Sequence, residues 1–313
     1  MERVLVMGGS YFIGRHVVNT LKHDYALHVL NRGSRPLNDP EVRELRSDRN
    51  EPTAMKKVLD GKTFEHVIDL SCFTETQARI LIKSLDMDSI KSFVFISTSA
   101  VYDIHKATPP FKEGDPVGGE SPFKQYAKDK IEAENYLKSV MDPSKLVIYR
   151  PPYIYGENNY VPRERLFFYL IEEELPIYVP RSNNRIQFNY AGDLAKDIES
   201  AVKGEVPGGT YNVGDPDAVT FTEFIHRTAK QVGKEPWIQF VDSSRLDIPL
   251  MHYFPFFDYD NILSVDKLHA QVSHVTVMDK VLERAYRDYR SIKPSSLSER
   301  MVRAREKLAR MIH

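Results

Sequence analysis

The stretch Val4-Leu5-Val6-Met7-Gly8-Gly9-Ser10-Tyr11-Phe12-Ile13-Gly14 decides the fold, because it runs from a strand through a glycine turn into a helix. Glycines let the backbone turn tightly and approach a pyrophosphate, and the helix N-terminus adds unpaired N–H groups and partial positive charge. We therefore predict a dinucleotide site at Gly8, Gly9, Ser10, Tyr11, Phe12, Ile13 and Gly14. Tyr11 replaces the usual middle glycine, so a tight turn without a ligand is the alternative interpretation.

Apolar runs and helical patterns alternate after this stretch. The predicted strands are 4–7, 26–30, 42–46, 66–70, 93–97 and 146–149, and the predicted helices are 12–23, 52–59, 75–85 and 123–140. Such alternation is typical of a parallel sheet covered by helices on both faces. The sequence predicts an α/β fold with a doubly wound parallel (Rossmann) sheet and a second, smaller α/β substrate lobe.

The regular alternation of predicted strands and helices ends after residue 155, which suggests a domain boundary. We expect residues 1–155 to form the dinucleotide-binding domain, with 186–203 returning to it, and 156–290 to form the substrate lobe. Residues 291–313 read as an amphipathic helix that a Ser296-x-x-Glu299 capping box opens. We expect its apolar stripe to dock on the chain's own body or on the partner subunit of a homodimer.

Composition limits the possible functions. The 43 Lys and Arg residues nearly balance the 44 Asp and Glu residues, so no bulk field favours nucleic acid as a partner. The lone Cys72 predicts a reducing, cytoplasmic location, and the ten His residues show no metal-ligand spacing. No apolar run approaches the roughly 20 residues that span a bilayer. We expect neither a metal nor a membrane, and the first residues do not read as a signal peptide.

The end of the second predicted strand bears on the choice of cofactor. An acid at this place would bind the ribose hydroxyls of NAD, and none is present. Asn31, Arg32 and Arg35 suit a 2′-phosphate better, because guanidinium groups pair with phosphate oxygens. This pattern favours NADP over NAD, although two arginines in a polar loop could also be plain solvated charge.

A Tyr-x-x-x-Lys pattern joins Tyr126 to Lys130. The pattern alone carries little information, because it also occurs at 102–106 and 289–293. Only Tyr126 and Lys130 lie in a well-patterned helix, where residues four apart share a face. That helix follows a strand ending in the hydroxyl residues Thr98 and Ser99.

These residue types form a set that can move a proton. A free phenol has a pKa near 10 and is a poor base, but a neighbouring ammonium and an oxidised nicotinamide favour its phenolate. We predict Tyr126 as the acid/base, Lys130 as the group that tunes it and holds the nicotinamide ribose, and Thr98 or Ser99 as the hydroxyl that orients the substrate oxygen. The cofactor would carry the hydride.

Four features together resemble the extended short-chain dehydrogenase/reductase family, the NAD-dependent epimerases and dehydratases. They are the glycine loop, the strand end Phe-Ile-Ser-Thr-Ser-Ala-Val-Tyr102, the pair of Tyr126 and Lys130, and Tyr149-Arg-Pro-Pro-Tyr-Ile-Tyr-Gly156. The likeness continues through Gln187-Phe-Asn-Tyr-Ala-Gly-Asp193 and covers the chain to about Tyr289. The Tyr11 loop is most similar to a subgroup that contains chloroplast stem-loop RNA-binding proteins.

The resemblance implies further cofactor contacts. Asp48, after the third strand, looks like the family's adenine contact, and the neighbouring Arg49 is a further predicted cofactor contact. Leu70 and Ser71 would lie along the cofactor, and Pro151 would lie near the nicotinamide. By the same resemblance, Thr98 stands where the family has its catalytic Ser or Thr.

Departures from the family pattern bear on the reaction. The 4,6-dehydratases carry two acids after the catalytic Thr, where Ser99 and Ala100 stand here, so dehydration is disfavoured. Tyr153 occupies the place of an Asn of the UDP-galactose epimerases, and Ile186 occupies the place of an Arg for which Arg185 could substitute. The predicted substrate residues are Tyr153, Arg185 and Gln187.

The predicted function is an NAD(P)-dependent epimerase or reductase acting on a sugar or nucleotide-sugar carbinol or carbonyl. The alternative is an RNA-associated or regulatory cofactor-binding protein with a relic active site.

Overall fold

The computed structural model describes residues 1–118, 124–292 and 297–312. Its strands are β1 (Arg3–Met7), β2 (Ala26–Asn31), β3 (Arg43–Arg46), β4 (His66–Asp69), β5 (Ser92–Ile96), β6 (Leu146–Arg150), β7 (Tyr153–Tyr155), β8 (Ile177–Pro180), β9 (Arg185–Tyr190), β10 (Gly209–Asn212), β11 (Ala218–Thr220) and β12 (Ile238–Val241). Its helices are α1 (Ile13–Leu21), α2 (Pro52–Leu59), α3 (Glu75–Ser84), α4 (Lys124–Val140), α5 (Glu164–Glu172), α6 (Ala191–Val202), α7 (Phe221–Val232), α8 (Asp266–His269), α9 (Met278–Ser291) and α10 (Glu299–Ile312).

Seven parallel strands form the main sheet, in the order β10-β6-β5-β4-β1-β2-β3. The chain builds the sheet outward from β1, first through β2 and β3 and then through β4, β5 and β6. The direction of winding therefore changes between β1 and β4, which is where open α/β sheets form a ligand crevice. This arrangement confirms the predicted doubly wound fold.

Helices cover both faces of the main sheet, as the apolar runs require. Val17 of α1 and Ile198 of α6 belong to the core on one face, and Met55 of α2, Leu81 of α3 and Leu137 of α4 belong to the core on the other. Full burial of such a side chain stabilises the fold by roughly 1.5–3 kcal/mol.

The chain divides into two compact units. The first contains Met1–Ile154, Phe188–Pro216 and Leu263–Val275, and the second contains Tyr155–Gln187, Asp217–Ile262 and Thr276–His313. In the second unit α5, α7 and α9 pack against one another, β8 pairs parallel with β12, and β9 pairs antiparallel with β11. None of the described helices is both long and apolar enough to cross a bilayer.

The second unit contains a helix that the sequence did not indicate. Helix α7 begins with a capping box, in which Thr220 Oγ1 accepts from the Glu223 N–H and Glu223 accepts from the Thr220 N–H. It ends at Gly233, whose φ of 77° is left-handed. The sequence did not indicate this helix because Phe221, Thr222 and Phe224 are residue types that favour strands. In the structure Phe221 and Phe224 are buried against other aromatic rings of the same unit.

The terminal helix α10 starts later than the capping box predicts. It begins at Glu299, and Ser298 Oγ accepts from the Met301 N–H at 3.3 Å, as an N-cap does. Ser296, the predicted cap, lies outside the described residues, as does Phe123 at the predicted start of α4. Ala304 and Leu308 are buried, and the Arg305 guanidinium donates to the Pro176 carbonyl of the same unit.

Candidate active site

The glycine loop connects β1 to α1 at the change of winding. Gly8 has a φ of 93°, and a Cβ there would lie 2.8 Å from Cβ of Ser71. A Cβ on Gly14 would lie 2.4 Å from the Gly8 carbonyl oxygen. Both positions therefore require glycine, which leaves a tight backbone turn at the start of a helix, the arrangement that suits a pyrophosphate.

Tyr11 and Phe12 lie between these glycines and change the shape of the loop. Phe12 is buried with a φ of 39°, a conformation that side chains rarely adopt and that is often held at ligand clamps. Tyr11 is about one-third exposed, and the Arg35 guanidinium lies 4.0 Å from the centre of its ring. The ring in the place of the usual glycine therefore holds Arg35 beside the loop.

The end of β2 carries an amide group with an unused donor. Asn31 Oδ1 accepts from the Gly33 N–H at 2.7 Å, while Asn31 Nδ2 is buried without a hydrogen-bond partner among the described residues. Arg32 is exposed, and its carbonyl accepts from Arg46 Nε at 3.1 Å. A buried amide donor of this kind fits a hydroxyl or phosphate oxygen at the adenosine end of a dinucleotide.

The Arg49 guanidinium forms its hydrogen bonds with residues around the end of β4. Its guanidinium donates to both oxygens of the fully buried Asp69, at 2.8 and 2.9 Å, and to Ser71 Oγ at 2.8 Å. Burial alone would lower the pKa of Arg49, but the Asp69 carboxylate outweighs burial and raises it. Asp48 Oδ1 caps the following turn by accepting from the Asn50 N–H. Arg49 thus holds the residues after β4 against the end of β3.

The loop after β4 approaches the glycine turn. The Leu70 N–H donates to the Met7 carbonyl at 3.1 Å, and Ser71 faces Gly8. Cys72, the next residue, is fully buried, and burial raises the pKa of its thiol to about 12. Cys72 is therefore a packing residue and not a nucleophile.

Lys130 on α4 is buried and points at the ends of two strands. Its Nζ donates to the Cys72 carbonyl at 2.6 Å and to the Ile96 carbonyl at 2.7 Å. It lies 6.0 Å from the centre of the half-buried Tyr126 ring. Burial lowers the pKa of Lys130 to about 8. The phenol and the amine that the sequence singled out thus lie together on one helix face.

The hydroxyl residues follow β5 directly. Thr98 is half-buried and its Oγ1 accepts from the Ala100 N–H at 3.2 Å, whereas Ser99 is buried and its N–H donates to the Pro151 carbonyl at 2.8 Å. The 3-10 turn Ser99–Val101 packs beside α4. Of the two hydroxyl residues, Thr98 is the more accessible.

The predicted substrate residues fall in both units. Tyr153 belongs to the first unit, where its buried ring lies 6.2 Å from that of Phe188. Arg185 and Gln187 belong to the second unit and lie on β9. Arg185 is exposed and donates to the Ala218 carbonyl at 3.1 Å, while Gln187 is buried and its N–H donates to the Asn261 carbonyl.

Phe73 and Glu134 were not singled out from the sequence. The Phe73 ring is half-exposed and lies 6.0 Å from the Tyr126 ring and 5.4 Å from Lys130 Nζ. Glu134 lies one turn beyond Lys130 and forms a buried ion pair with Arg150. The sequence signal that could have identified Glu134 is its spacing of four residues from Lys130, which places both on one face of the helix. In the described part of the chain, no group of acids, His and Cys could hold a metal ion.

The sequence is similar to those of known enzymes and of a stem-loop binding protein. The sequence model of the NAD dependent epimerase/dehydratase family matches residues 4–214. The chloroplast stem-loop binding protein of 41 kDa b of Arabidopsis thaliana is 27% identical over 284 residues, which are 85% of this chain and 73% of that protein. The N-acetyl-alpha-D-glucosaminyl-diphospho-ditrans,octacis-undecaprenol 4-epimerase of Escherichia coli O157:H7 is 23% identical over 270 residues, 80% of this chain and 76% of that protein.

Solved structures agree on the fold. The Bordetella bronchiseptica enzyme WbmH, solved in complex with NAD+, superimposes with a TM-score of 0.76 at 17% identity, covering 93% of this chain and 99% of that one.

Proposed function

The chain belongs to the NAD dependent epimerase/dehydratase family, and we propose that it is an NAD(P)-dependent epimerase or reductase acting on a carbinol or carbonyl carbon of a nucleotide-sugar. The observation that carries this proposal is the pairing of Tyr126 with the buried Lys130 beside the end of β5. An amine buried against two carbonyls is a costly arrangement, and perturbed ionisable groups cluster at functional sites.

The residues of the first unit fit a dinucleotide. The glycine loop Gly8–Gly14 would cradle the pyrophosphate, and the unpaired Asn31 Nδ2 would donate to the adenosine ribose or its phosphate. Asp48, Leu70 and Ser71 would flank the adenine and the ribose, and Pro151 would lie near the nicotinamide. Bound in this way, the nicotinamide would supply or accept the hydride.

The proton would move through Tyr126. Its Oη would take the proton from the substrate hydroxyl as the carbonyl forms and return it in the reverse direction. The Lys130 ammonium would favour the phenolate and hold the nicotinamide ribose, and Thr98 Oγ1 would orient the substrate oxygen. Ser99 is the alternative, although its burial makes it less accessible.

The cofactor preference that we propose is NADP. Arg35 is exposed, and stacking on Tyr11 at 4.0 Å keeps its guanidinium beside the glycine loop. Arg32 and Asn31 would complete a site for the 2′-phosphate, which guanidinium groups bind well.

The reaction that we favour leaves out dehydration, because Ser99 and Ala100 follow Thr98 where an acid pair would be needed. A substrate with a sugar linked to a diphosphate is supported by the similarity to the Escherichia coli 4-epimerase, whose name gives such a compound. Tyr153, Arg185 and Gln187 would contact this substrate.

The test is to purify the protein gently, identify any retained dinucleotide by mass spectrometry, and then incubate the protein with UDP- and dTDP-linked hexoses plus NAD⁺ or NADPH. Retained NAD⁺ with interconversion of epimers indicates an epimerase, and consumption of NADPH indicates a reductase. Absence of turnover on every sugar, together with absence of dinucleotide binding, would refute the proposal.

A second candidate function rests on the chloroplast stem-loop binding relative. This chain could bind RNA and retain only a relic of the active site, although its near-neutral charge offers little electrostatic attraction. Salt-dependent RNA binding that survives Tyr126→Phe and is lost on removal of residues 297–313 would favour this function.

A further inference from the structure

A buried network of charged and polar groups lies next to the residues that we place in the active site. At its centre is Glu134, which is 2% exposed and lies one turn beyond Lys130 on α4. Its Oε1 accepts from Ser97 Oγ at 2.5 Å and from Arg150 Nε at 3.0 Å. Its Oε2 accepts from Arg150 Nη2 at 2.6 Å and from Lys138 Nζ at 3.1 Å.

The partners of Glu134 are the immediate neighbours of site residues. Ser97 precedes Thr98 at the end of β5, and Arg150 precedes Pro151 at the end of β6. One carboxylate is therefore bonded to the ends of the two strands that carry the substrate-orienting hydroxyl and the proline, while its own helix carries the acid/base pair.

Arg150 extends the network further. Its Nη1 donates to Tyr102 Oη at 3.2 Å and to the Glu113 carbonyl at 3.3 Å. Tyr102 Oη in turn donates to Asn212 Oδ1 at 2.6 Å. Asn212 Nδ2 donates to the Phe111 carbonyl at 2.9 Å, so the backbone at Phe111 is held by the same network.

We do not expect this network to contribute much to the free energy of unfolding. Desolvation of a buried ion pair usually offsets its attraction, and apolar residues of the same size can stabilise a fold as well. What such a pair supplies is a fixed geometry, because each partner has one position that satisfies all its hydrogen bonds. Burial alone would raise the pKa of Glu134, but Arg150 outweighs burial and lowers it, so Glu134 is ionised.

We infer that Glu134 and Arg150 are positioning residues, which set the distance from Tyr126 and Lys130 to the hydroxyl of Thr98. The inference rests on the proposed function for its kinetic consequence. It also has a consequence independent of turnover, because the Glu134 carboxylate acts on Lys130 through its charge. The other ionisable groups that face Lys130 are Asp69, Arg49, Cys72 and Tyr126.

The test compares Glu134→Gln, which removes the charge, with Glu134→Asp, which keeps the charge but shortens its reach. Lysine labelled with ¹³C at Cε reports the Lys130 titration by NMR, and Lys130→Arg assigns the signal. We expect a midpoint near 8 in the wild type, a lower midpoint in Glu134→Gln, and a midpoint close to the wild type in Glu134→Asp. In both variants kcat should fall about 10- to 100-fold, while the dissociation constant of the dinucleotide stays within about twofold.

Asp197→Asn is the matched control, because Asp197 is a buried acid of the same unit that lies on α6, across the sheet from α4, and pairs with His274. It should leave kcat and the Lys130 midpoint unchanged. If Glu134→Gln fails to fold, Ser97→Ala replaces it, because it deletes one hydrogen bond and leaves the charge pair intact; it should lower kcat alone.

An unchanged kcat in a folded Glu134 variant overturns the inference, as does an equal fall in Asp197→Asn. A wild type without turnover refutes the proposed function instead. The distance from Lys130 Nζ to Thr98 Oγ1 in crystal structures of the wild type and of Glu134→Gln then decides the inference, and an unchanged distance overturns it.

Discussion

The Nζ of Lys130 lies 6.0 Å from the centre of the Tyr126 ring, and two backbone carbonyls hold it there. Both carbonyls belong to residues at strand ends, Cys72 after β4 and Ile96 at the end of β5. These two hydrogen bonds fix the position of the amine relative to the sheet. The phenol of Tyr126 lies one helical turn earlier on the same face of α4, so its position relative to the sheet is constrained as well.

Tyr126→Phe should remove turnover and leave the fold intact. The ring remains, but the proton carrier is lost, so kcat should fall roughly 10²- to 10⁴-fold. Steady-state kinetics, thermal unfolding and dinucleotide titration check this prediction. Tyr25→Phe, a partly buried tyrosine on the loop between α1 and β2, is the control. Near-normal turnover in Tyr126→Phe would show that another group moves the proton.

Gly8→Ala should weaken dinucleotide binding more than tenfold and lower the melting temperature. The new Cβ would meet Ser71 at 2.8 Å in a backbone conformation with φ of 93°. Gly61→Ala separates the two causes, because Gly61 has a φ of 65° but no atom within 4 Å of its Cβ position. That control should lose only about 1–2 kcal/mol of stability and bind the dinucleotide normally. Equal effects of the two variants on binding would contradict the predicted role of the loop.

Arg35→Ala should raise the dissociation constant of NADP⁺ about tenfold or more, because a charge-assisted contact to the 2′-phosphate is lost. The constant for NAD⁺ should change less than about twofold, since NAD⁺ lacks that phosphate. Isothermal titration of both dinucleotides measures the difference, with the exposed Arg43→Ala of β3 as the control. An equal loss for NAD⁺ and NADP⁺ would contradict a 2′-phosphate site.

His274→Gln should destabilise the protein more at about pH 6 than at about pH 9. His274 Nδ1 lies 2.9 Å from Asp197 Oδ1, and this hydrogen bond raises the pKa of His274 above its usual value. A raised pKa means that the stabilisation is present below about 6.5 and is lost as the pH rises through the elevated value. The loss should be at most about 1 kcal/mol, because the ring is 30% exposed. Melting temperatures that differ equally at both pH values would contradict this sign.

The first unit was predictable because its strands are buried on both faces. Strands such as Phe93-Val-Phe-Ile are continuous apolar runs, and the helices between them show apolar faces. The second unit was harder to predict, because its strands are short and lie outside the main sheet. Strand β8 (Ile177–Pro180) was not predicted, because it is only four residues long, follows Pro176 and ends in Pro180, and proline is rare inside a sheet.

Local geometry was predictable where it depends on spacing along the chain: the glycine loop joins β1 to α1, and Tyr126 and Lys130 share a face of α4. Contacts were not predictable where partners are distant in sequence. Glu134 meets Ser97 across 37 positions, and Tyr102 meets Asn212 across 110. A buried Lys or Glu also reads as solvated charge until the fold covers it.

The division into units has a consequence for how the protein could acquire a new specificity. The chain crosses from one unit to the other five times, after Ile154, Gln187, Pro216, Ile262 and Val275. Neither unit is a contiguous stretch, so a single recombination event cannot transplant the second unit from a relative as a cassette. Exchange of the second unit would require its three separate segments, Tyr155–Gln187, Asp217–Ile262 and Thr276–His313, to change together.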